Sequence, residues 1–269
     1  MSNIRGTMSS IEPVALITGA SAGIGAALAR VFAQHGHALV LTARREAELN
    51  ALADAIAATG RTRPRVIVAD LAAHDGPARL AEALRQQGLE PQFVVNNAGY
   101  GLLGDAATLD RAQQLAMIDL NCRALTELTL RLLDSVKRHR GGILNVASIA
   151  AFVPGPGMAV YHATKAYVLS FSEALHAELE ADGVRVCALC PGPVPTGFNQ
   201  RAGIPSGYLP DYLNVPAEQV ARAGYAGLMA GKRVIAPGIG NWLSTIMPRL
   251  FPRSLVLKAM AGRWNGGRR

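Results

Sequence analysis

Short apolar runs alternate with longer Ala- and Leu-rich stretches along most of the chain. The runs at 14–18, 38–42, 65–69, 93–95, 142–146, 184–189 and 233–236 are the predicted strands. Several are rich in Val, Ile and Leu without polar alternation, as strands covered on both faces are. Between them, 24–34, 46–58, 77–87 and 112–138 carry apolar residues at helical spacing, and a further helical pattern runs from 161 to about 180. Strand–helix alternation of this kind builds right-handed βαβ units. The predicted fold is therefore α/β: one doubly wound parallel sheet of about seven strands with helices on both faces. Neither a repeat nor a Pro/Gly-rich linker divides the chain, so one domain over 11–240 is expected, after a leader at 1–10 and with an extension of the same domain at 241–269. The longest irregular stretch, 191–216, is rich in proline and glycine. A loop of that length inside a compact domain is usually functional.

Composition narrows the classes. Half of the residues are hydrophobic and 17% are charged, which excludes a disordered or fibrous chain. Aromatics at 5% suit close helix-on-sheet packing. A net charge of +8 is compatible with nucleic acid, an anionic membrane surface or anionic small molecules as partners. The basic residues, however, fall in short groups at 44–45, 61–65, 137–140 and 268–269, with no basic recognition helix, so no nucleic-acid partner is expected. Three cysteines, Cys122, Cys187 and Cys190, form no even framework and suggest a reducing compartment. Cys187 and Cys190 sit in a strand pattern where residues three apart face opposite ways, so both read as buried and structural rather than as zinc ligands. His35, His37, His74, His139, His162 and His176 show no metal spacing, and no metal is expected. The first ten residues lack an apolar signal core, and no apolar run reaches the ~18 residues a membrane span needs. A cytoplasmic protein is the expectation.

The first predicted strand runs into Thr18, Gly19, Ala20, Ser21, Ala22, Gly23, Ile24 and Gly25, after which an Ala-rich helix starts. Glycines there permit a tight turn and let backbone approach a pyrophosphate, held at the positive end of the helix. The strand before and the helix after are the context that a dinucleotide-binding loop of the Rossmann fold requires. About twenty residues on, such folds read the adenosine ribose, with an acid for NAD. This chain has Leu41, Thr42, Ala43, Arg44 and Arg45 instead. A guanidinium binds a 2′-phosphate that a carboxylate would repel, so Arg44 points to NADP(H), with Ser21 adding a hydroxyl. Arg45 is equally a phosphate ligand or a solvated residue.

Tyr161 and Lys165 are spaced to share one helix face. A tyrosine loses its proton near pH ~10, and a cation beside it favours the phenolate. Ser148 ends a strand pattern at the carboxyl edge, where open α/β sheets hold ligands. These pieces, with Asp70-Leu71, Asn96-Asn97-Ala98-Gly99, Asn121 and Pro191-Gly192-x-x-x-Thr196, resemble the short-chain dehydrogenase/reductase family in order and spacing over 14–196. The resemblance implies an NADP-preferring oxidoreductase that interconverts secondary alcohols and ketones. Tyr161 would be its general acid/base and Ser148 would bind the substrate oxygen. Lys165 would hold the nicotinamide ribose and lower the tyrosine's pKa, and Asn121 would anchor a water in a proton relay. Gly19, Ser21, Gly23, Ile24, Gly25 and Arg44 would hold the phosphates, and Asp70 with Leu71 the adenine. Asn97, Ala98 and Gly99 would line the cleft. Pro191, Gly192, Val194 and Thr196 would face the nicotinamide carboxamide. A homodimer or homotetramer is also implied.

Within 191–216, Phe198, Ile204, Tyr208, Leu209, Tyr212 and Leu213 either receive a lipophilic carbonyl compound or simply pack the loop down. The apolar end of the chain, from Trp242 to Met260, loosely resembles bacterial members near the steroid and long-chain-acyl reductases. Pro248 and Pro252 divide it into two short helices or turns. Three destinations compete for it: the substrate mouth, a subunit interface, or an anionic membrane. The first two rank above the third, because the prolines spoil a continuous amphipathic helix. Two other classes differ from an enzyme: a cofactor-holding regulatory protein without turnover, and a membrane-surface protein that works through this tail.

Overall fold

A computed structural model describes residues 11–205 and 210–266. The expected leader at 1–10, the loop residues Tyr208 and Leu209, and the terminal pair at 268–269 lie outside the described residues. Seven parallel strands form one sheet: β1 Glu12–Thr18, β2 Leu39–Ala43, β3 Arg65–Val68, β4 Leu89–Asn96, β5 Gly142–Val146, β6 Arg185–Leu189 and β7 Val234–Ile235. Their order is β3-β2-β1-β4-β5-β6-β7. The chain winds outward in one direction from β1 to β3 and in the other from β4 to β7. The switch falls between β1 and β4, and the carboxyl ends of those strands are where such sheets bind ligands.

The helices are α1 Gly23–Gln34, α2 Glu46–Ala57, α3 Gly76–Gln86, α4 Arg111–Ile118, α5 Leu125–Arg138, α6 Ala159–Leu179, α7 Gly197–Ala202, α8 Ala217–Met229, α9 Ile239–Ile246 and α10 Arg253–Gly266. Two apolar cores confirm a sheet covered twice. One joins Ile17, Leu41, Leu144 and Leu189 to Leu28 and Phe32 of α1, Leu52 of α2 and Val220 of α8. The other joins Leu16, Val40, Val94 and Ile143 to Leu80 of α3, Leu128 and Leu132 of α5 and Leu175 of α6. Every one of those side chains is almost fully buried.

The helix expected over 112–138 is not continuous. α4 and α5 are separated by a π-helical turn, Asp119–Ala124. A π turn accommodates an extra residue, and such turns occur often at functional sites. Here it turns Asn121 inward, to 1% exposure. Arg123 bridges to Asp119 and Glu127 across the distortion. Hydrophobic spacing carries no mark of such a turn, because the apolar residues on either side keep their helical period. The stretch 191–216, expected to be irregular, contains α7 and a 3-10 turn at Asp211–Leu213.

Cys187 and Cys190 are free, buried and in different apolar clusters, as their strand spacing predicts. Burial raises all three thiols: Cys122 to about 11, Cys190 to about 12, and Cys187 further still. A folded-state pKa above the unfolded value means stability that is complete below the unfolded thiol pKa and lost as pH climbs toward the folded one. The melting temperature should therefore fall as pH rises from about 9 to 11. The double variant Cys187→Ala/Cys190→Ala should flatten that fall in thermal melts taken across the range. An unchanged slope would exclude the thiols as its source.

Candidate active site

The loop after β1 is fastened from the neighbouring strand. Thr18 is buried, and its Oγ1 accepts from the amides of Asn97 at 2.9 Å and Ala98 at 3.0 Å while donating to the Val95 carbonyl at 3.2 Å. Asn97 Nδ2 donates in return to the carbonyls of Thr18 at 2.9 Å and Gly19 at 3.2 Å. Gly19 and Gly23 take left-handed backbone, φ 64° and 56°. Gly25 differs from the other loop glycines in not lining the cavity. A Cβ there would lie 2.4 Å from the Gly19 carbonyl oxygen and 2.5 Å from Asn97 Nδ2, so its role is to let α1 close onto the loop. α1 has no side-chain cap at Ala22 and no acid in its first turn. Its amide end thus suits an anion.

One cavity of about 590 Å³ runs from this loop across the sheet edge to α10. Gly19, Ser21, Gly23 and Ile24 line its first part, followed by Arg44, Arg45, Asp70 and Leu71. Asn97, Ala98 and Gly99 form its floor, and Pro191, Gly192, Val194 and Thr196 its far wall. Ser21 was expected to serve a phosphate together with Arg44. Its Oγ accepts from Arg45 at 3.0 Å, and Arg45 also pairs with Glu48 at 3.0 Å. Arg44 is exposed at the cavity edge, with no carboxylate from β2 or its loop beside it. Asp70 accepts from the Ala72 amide at 3.0 Å, which fixes the turn that places Leu71.

Ser148 follows β5, and Tyr161 and Lys165 project from the start of α6. Ser148 Oγ accepts from the Ala150 amide at 3.1 Å and lies 3.4 Å from the Pro191 carbonyl. Tyr161 and Ser148 line the same cavity. Lys165, only 6% exposed, donates to the Val146 carbonyl at 2.7 Å, and its Nζ lies 5.8 Å from the centre of the Tyr161 ring. Asn121 donates to the Tyr100 carbonyl at 2.9 Å and Thr164 Oγ1 at 3.1 Å, and accepts from the Tyr100 amide at 3.1 Å. It does not line the cavity; it stands behind Gly99 on the side of Lys165.

Burial pushes Tyr161 up to about 12, and the nearby Ser148 hydroxyl offsets only part of that. Burial also lowers Lys165 to about 8. His162 is a wall residue. Its Nδ1 is 2.9 Å from the Val153 carbonyl, and burial lowers its pKa.

Sequence reasoning missed Thr18 as the fastener of the loop, and it missed Met158 and Trp264 as cavity walls. Thr18 stood in the quoted motif, but a hydroxyl's partners cannot be read from spacing. Trp264 reaches the cavity from more than a hundred residues away in sequence, and no local pattern marks it.

A family model described as short chain dehydrogenase matches residues 13–204. The chain is 36% identical over 191 residues to sulfoacetaldehyde reductase 2 of Chromohalobacter salexigens, covering 70% of this chain and 75% of that protein. It is 36% identical over 183 residues to the NADP-dependent 3-hydroxy acid dehydrogenase YdfG of Salmonella typhi, covering 66% and 71%. Among solved structures, a short-chain dehydrogenase from Sphingobium yanoikuyae in complex with NADPH superposes with a TM-score of 0.78 at 33% identity, over 88% of this chain and 94% of that one. The bulky-bulky ketone specific alcohol dehydrogenase of Comamonas testosteroni gives 0.74 at 30% identity, over 90% and 93%. None of these names carries the steroid or long-chain-acyl substrates that the C-terminal segment suggested. With a phosphate loop and a Ser–Tyr–Lys set in one cavity, the chain belongs to the short-chain dehydrogenase family of nicotinamide-dependent oxidoreductases.

Proposed function

We propose that the protein interconverts a lipophilic ketone and its secondary alcohol with NADP(H). The observation that carries this reading is that Ser148, Tyr161 and Lys165 line the same cavity as the phosphate loop and Arg44. The residues present fit the cofactor. An uncapped helix end meets the pyrophosphate, and exposed Arg44 meets the 2′-phosphate with no acid to repel it. When bound, NADPH supplies the hydride. The chain's own groups do the rest. Ser148 orients the substrate oxygen, and Tyr161 gives it the proton. Lys165, Asn121, Asn97 and Gly99 position the ribose side of the cleft, while Pro191, Gly192, Val194 and Thr196 receive the carboxamide. Two of the similar proteins are named for NADP or NADPH.

Cofactor choice tests the reading of Arg44. Arg44→Asp should cost a charge-assisted contact and add repulsion, lowering NADPH affinity by roughly ten- to a hundredfold, at ~1.5–3 kcal/mol for the contact. NADH affinity should change little. Fluorescence titration showing equal NADPH and NADH affinity in the unmutated protein would refute the assignment.

The apolar far end supports a lipophilic substrate. Phe198 lies 5.6 Å from the Tyr161 ring, centre to centre, and Met158, Ile204, Leu213, Met260 and Trp264 continue the wall. α10 is held there by Trp264, whose Nε1 donates to Asp105 Oδ1 at 3.1 Å. The indole also covers Gly157, where a Cβ would come within 2.4 Å of the ring. Trp264→Ala should raise KM for bulky apolar ketones by about tenfold, from ~1.5 kcal/mol or more of lost apolar burial, with little change for acetone-sized substrates. Equal effects on both would assign Trp264 to folding. A homo-oligomer would use α4, α5 and α6, which present Leu115, Ile118, Leu130 and Tyr167 at the surface.

A further inference from the structure

We infer that the corner formed by α9, the following turn and α10 docks the protein on an anionic membrane surface, with the cavity mouth at the bilayer. This goes beyond the proposed reaction and is independent of it.

Large apolar side chains are unevenly exposed. Eight of the fifteen that stand out among the described residues lie within 239–257: Ile239, Trp242, Leu243, Met247, Leu250, Phe251, Leu255 and Leu257. Leu250 is 67% exposed and Phe251 50%, next to a 3-10 turn at Met247–Arg249. An apolar patch of this kind marks an interaction site. Charge says which partner. After Glu218 the chain has no Asp or Glu, but it has nine Lys and Arg, more than its whole net charge of +8. Arg253 and Lys258 are exposed among the apolar residues.

A second copy of the chain is a poor occupant. A two-fold interface sets a patch against itself. Arg249, Arg253 and Lys258 would then be brought toward the same cations of the other copy with no carboxylate in the segment to pair them, which is repulsive. Anionic headgroups pair those cations while the apolar side chains enter the acyl boundary. The prolines, which argued against a membrane role by breaking the helix, do not prevent this. Pro248 and Pro252 bring no amide into the bilayer, and the Leu250 and Leu255 amides donate to the Met247 and Pro252 carbonyls at 3.1 and 2.9 Å. No helix of the described residues is long and apolar enough to cross a membrane, so the contact is interfacial. The same segment lends Ser244, Met247, Pro248, Met260 and Trp264 to the cavity wall. A substrate dissolved in the bilayer would therefore meet the cavity without crossing water.

The test is flotation of the full chain with phosphatidylcholine vesicles, with and without phosphatidylglycerol. The protein should float with the anionic vesicles only and be released by salt. A basic side chain at an anionic surface is worth roughly fivefold in partitioning, so Arg253→Gln/Lys258→Gln should lower it by about 25-fold. Leu250→Ser/Phe251→Ser should lower it by at least about tenfold. None of these positions lines the cavity. Sedimentation mass and melting temperature should match the unmutated protein in each variant. Failure of the unmutated chain to float with anionic vesicles overturns the inference. So does a variant that changes oligomer mass while flotation is untouched, which would give the face to a second copy.

Discussion

Tyr161→Phe should lower turnover by about 10²–10⁴-fold, the range of a lost general acid, while NADPH binding holds. The substitution keeps the ring that packs against Phe198 and removes only the hydroxyl. Burial that pushes this hydroxyl up to about 12 also fixes the expected pH profile. Reduction needs the protonated form, which is fully present at neutral pH, so the ketone-reducing rate should stay flat through that range. Oxidation needs the deprotonated form, so the alcohol-oxidising rate should climb with pH. Steady-state kinetics in both directions check this. Near-normal turnover in Tyr161→Phe would require another acid, and matching flat profiles would deny Tyr161 the base role.

Lys165→Met is the second large effect, and it should separate function from folding. The ammonium is buried at the end of a helix turn and held by the Val146 carbonyl. Removing it takes away the cation whose Nζ lies 5.8 Å from the centre of the Tyr161 ring, so turnover should fall by about 10²-fold or more and NADPH affinity should weaken. Stability should not follow. Burying an ammonium is costly, as the drop of its pKa to about 8 shows, and methionine fills a similar volume without that cost. The lost bond to Val146 offsets part of the gain, at about 1–3 kcal/mol. The melting temperature should therefore hold or rise while activity collapses. Parallel loss of both would make Lys165 a structural residue.

Much of this was legible in the residues. Buried parallel strands lack polar alternation, so Val14, Leu16, Val40 and Ile143 stood out as core strands and prove fully buried. The phosphate loop was legible because glycine has few other reasons to recur at that spacing between a strand and a helix. Gly25 shows the limit of such reading: it belongs to the motif, but it serves packing rather than the ligand. Contacts between distant segments were not legible. Thr18 with Asn97, Asn121 with Tyr100, and Trp264 with Gly157 each depend on where the fold brings two segments together. The depth at which Tyr161 is buried was not legible for the same reason. Sequence spacing put a cation on its helix face, whereas the depth of burial and the turn of Lys165 toward Val146 are properties of the folded cavity.

The central claim is tested most directly by following cofactor oxidation over a panel of ketones, from small polar to bulky apolar, with NADPH and NADH side by side. The account predicts that NADPH is consumed, fastest with bulky apolar ketones, and that NADH serves poorly with the same substrates. No oxidation with any ketone, or equal use of the two cofactors, would contradict it.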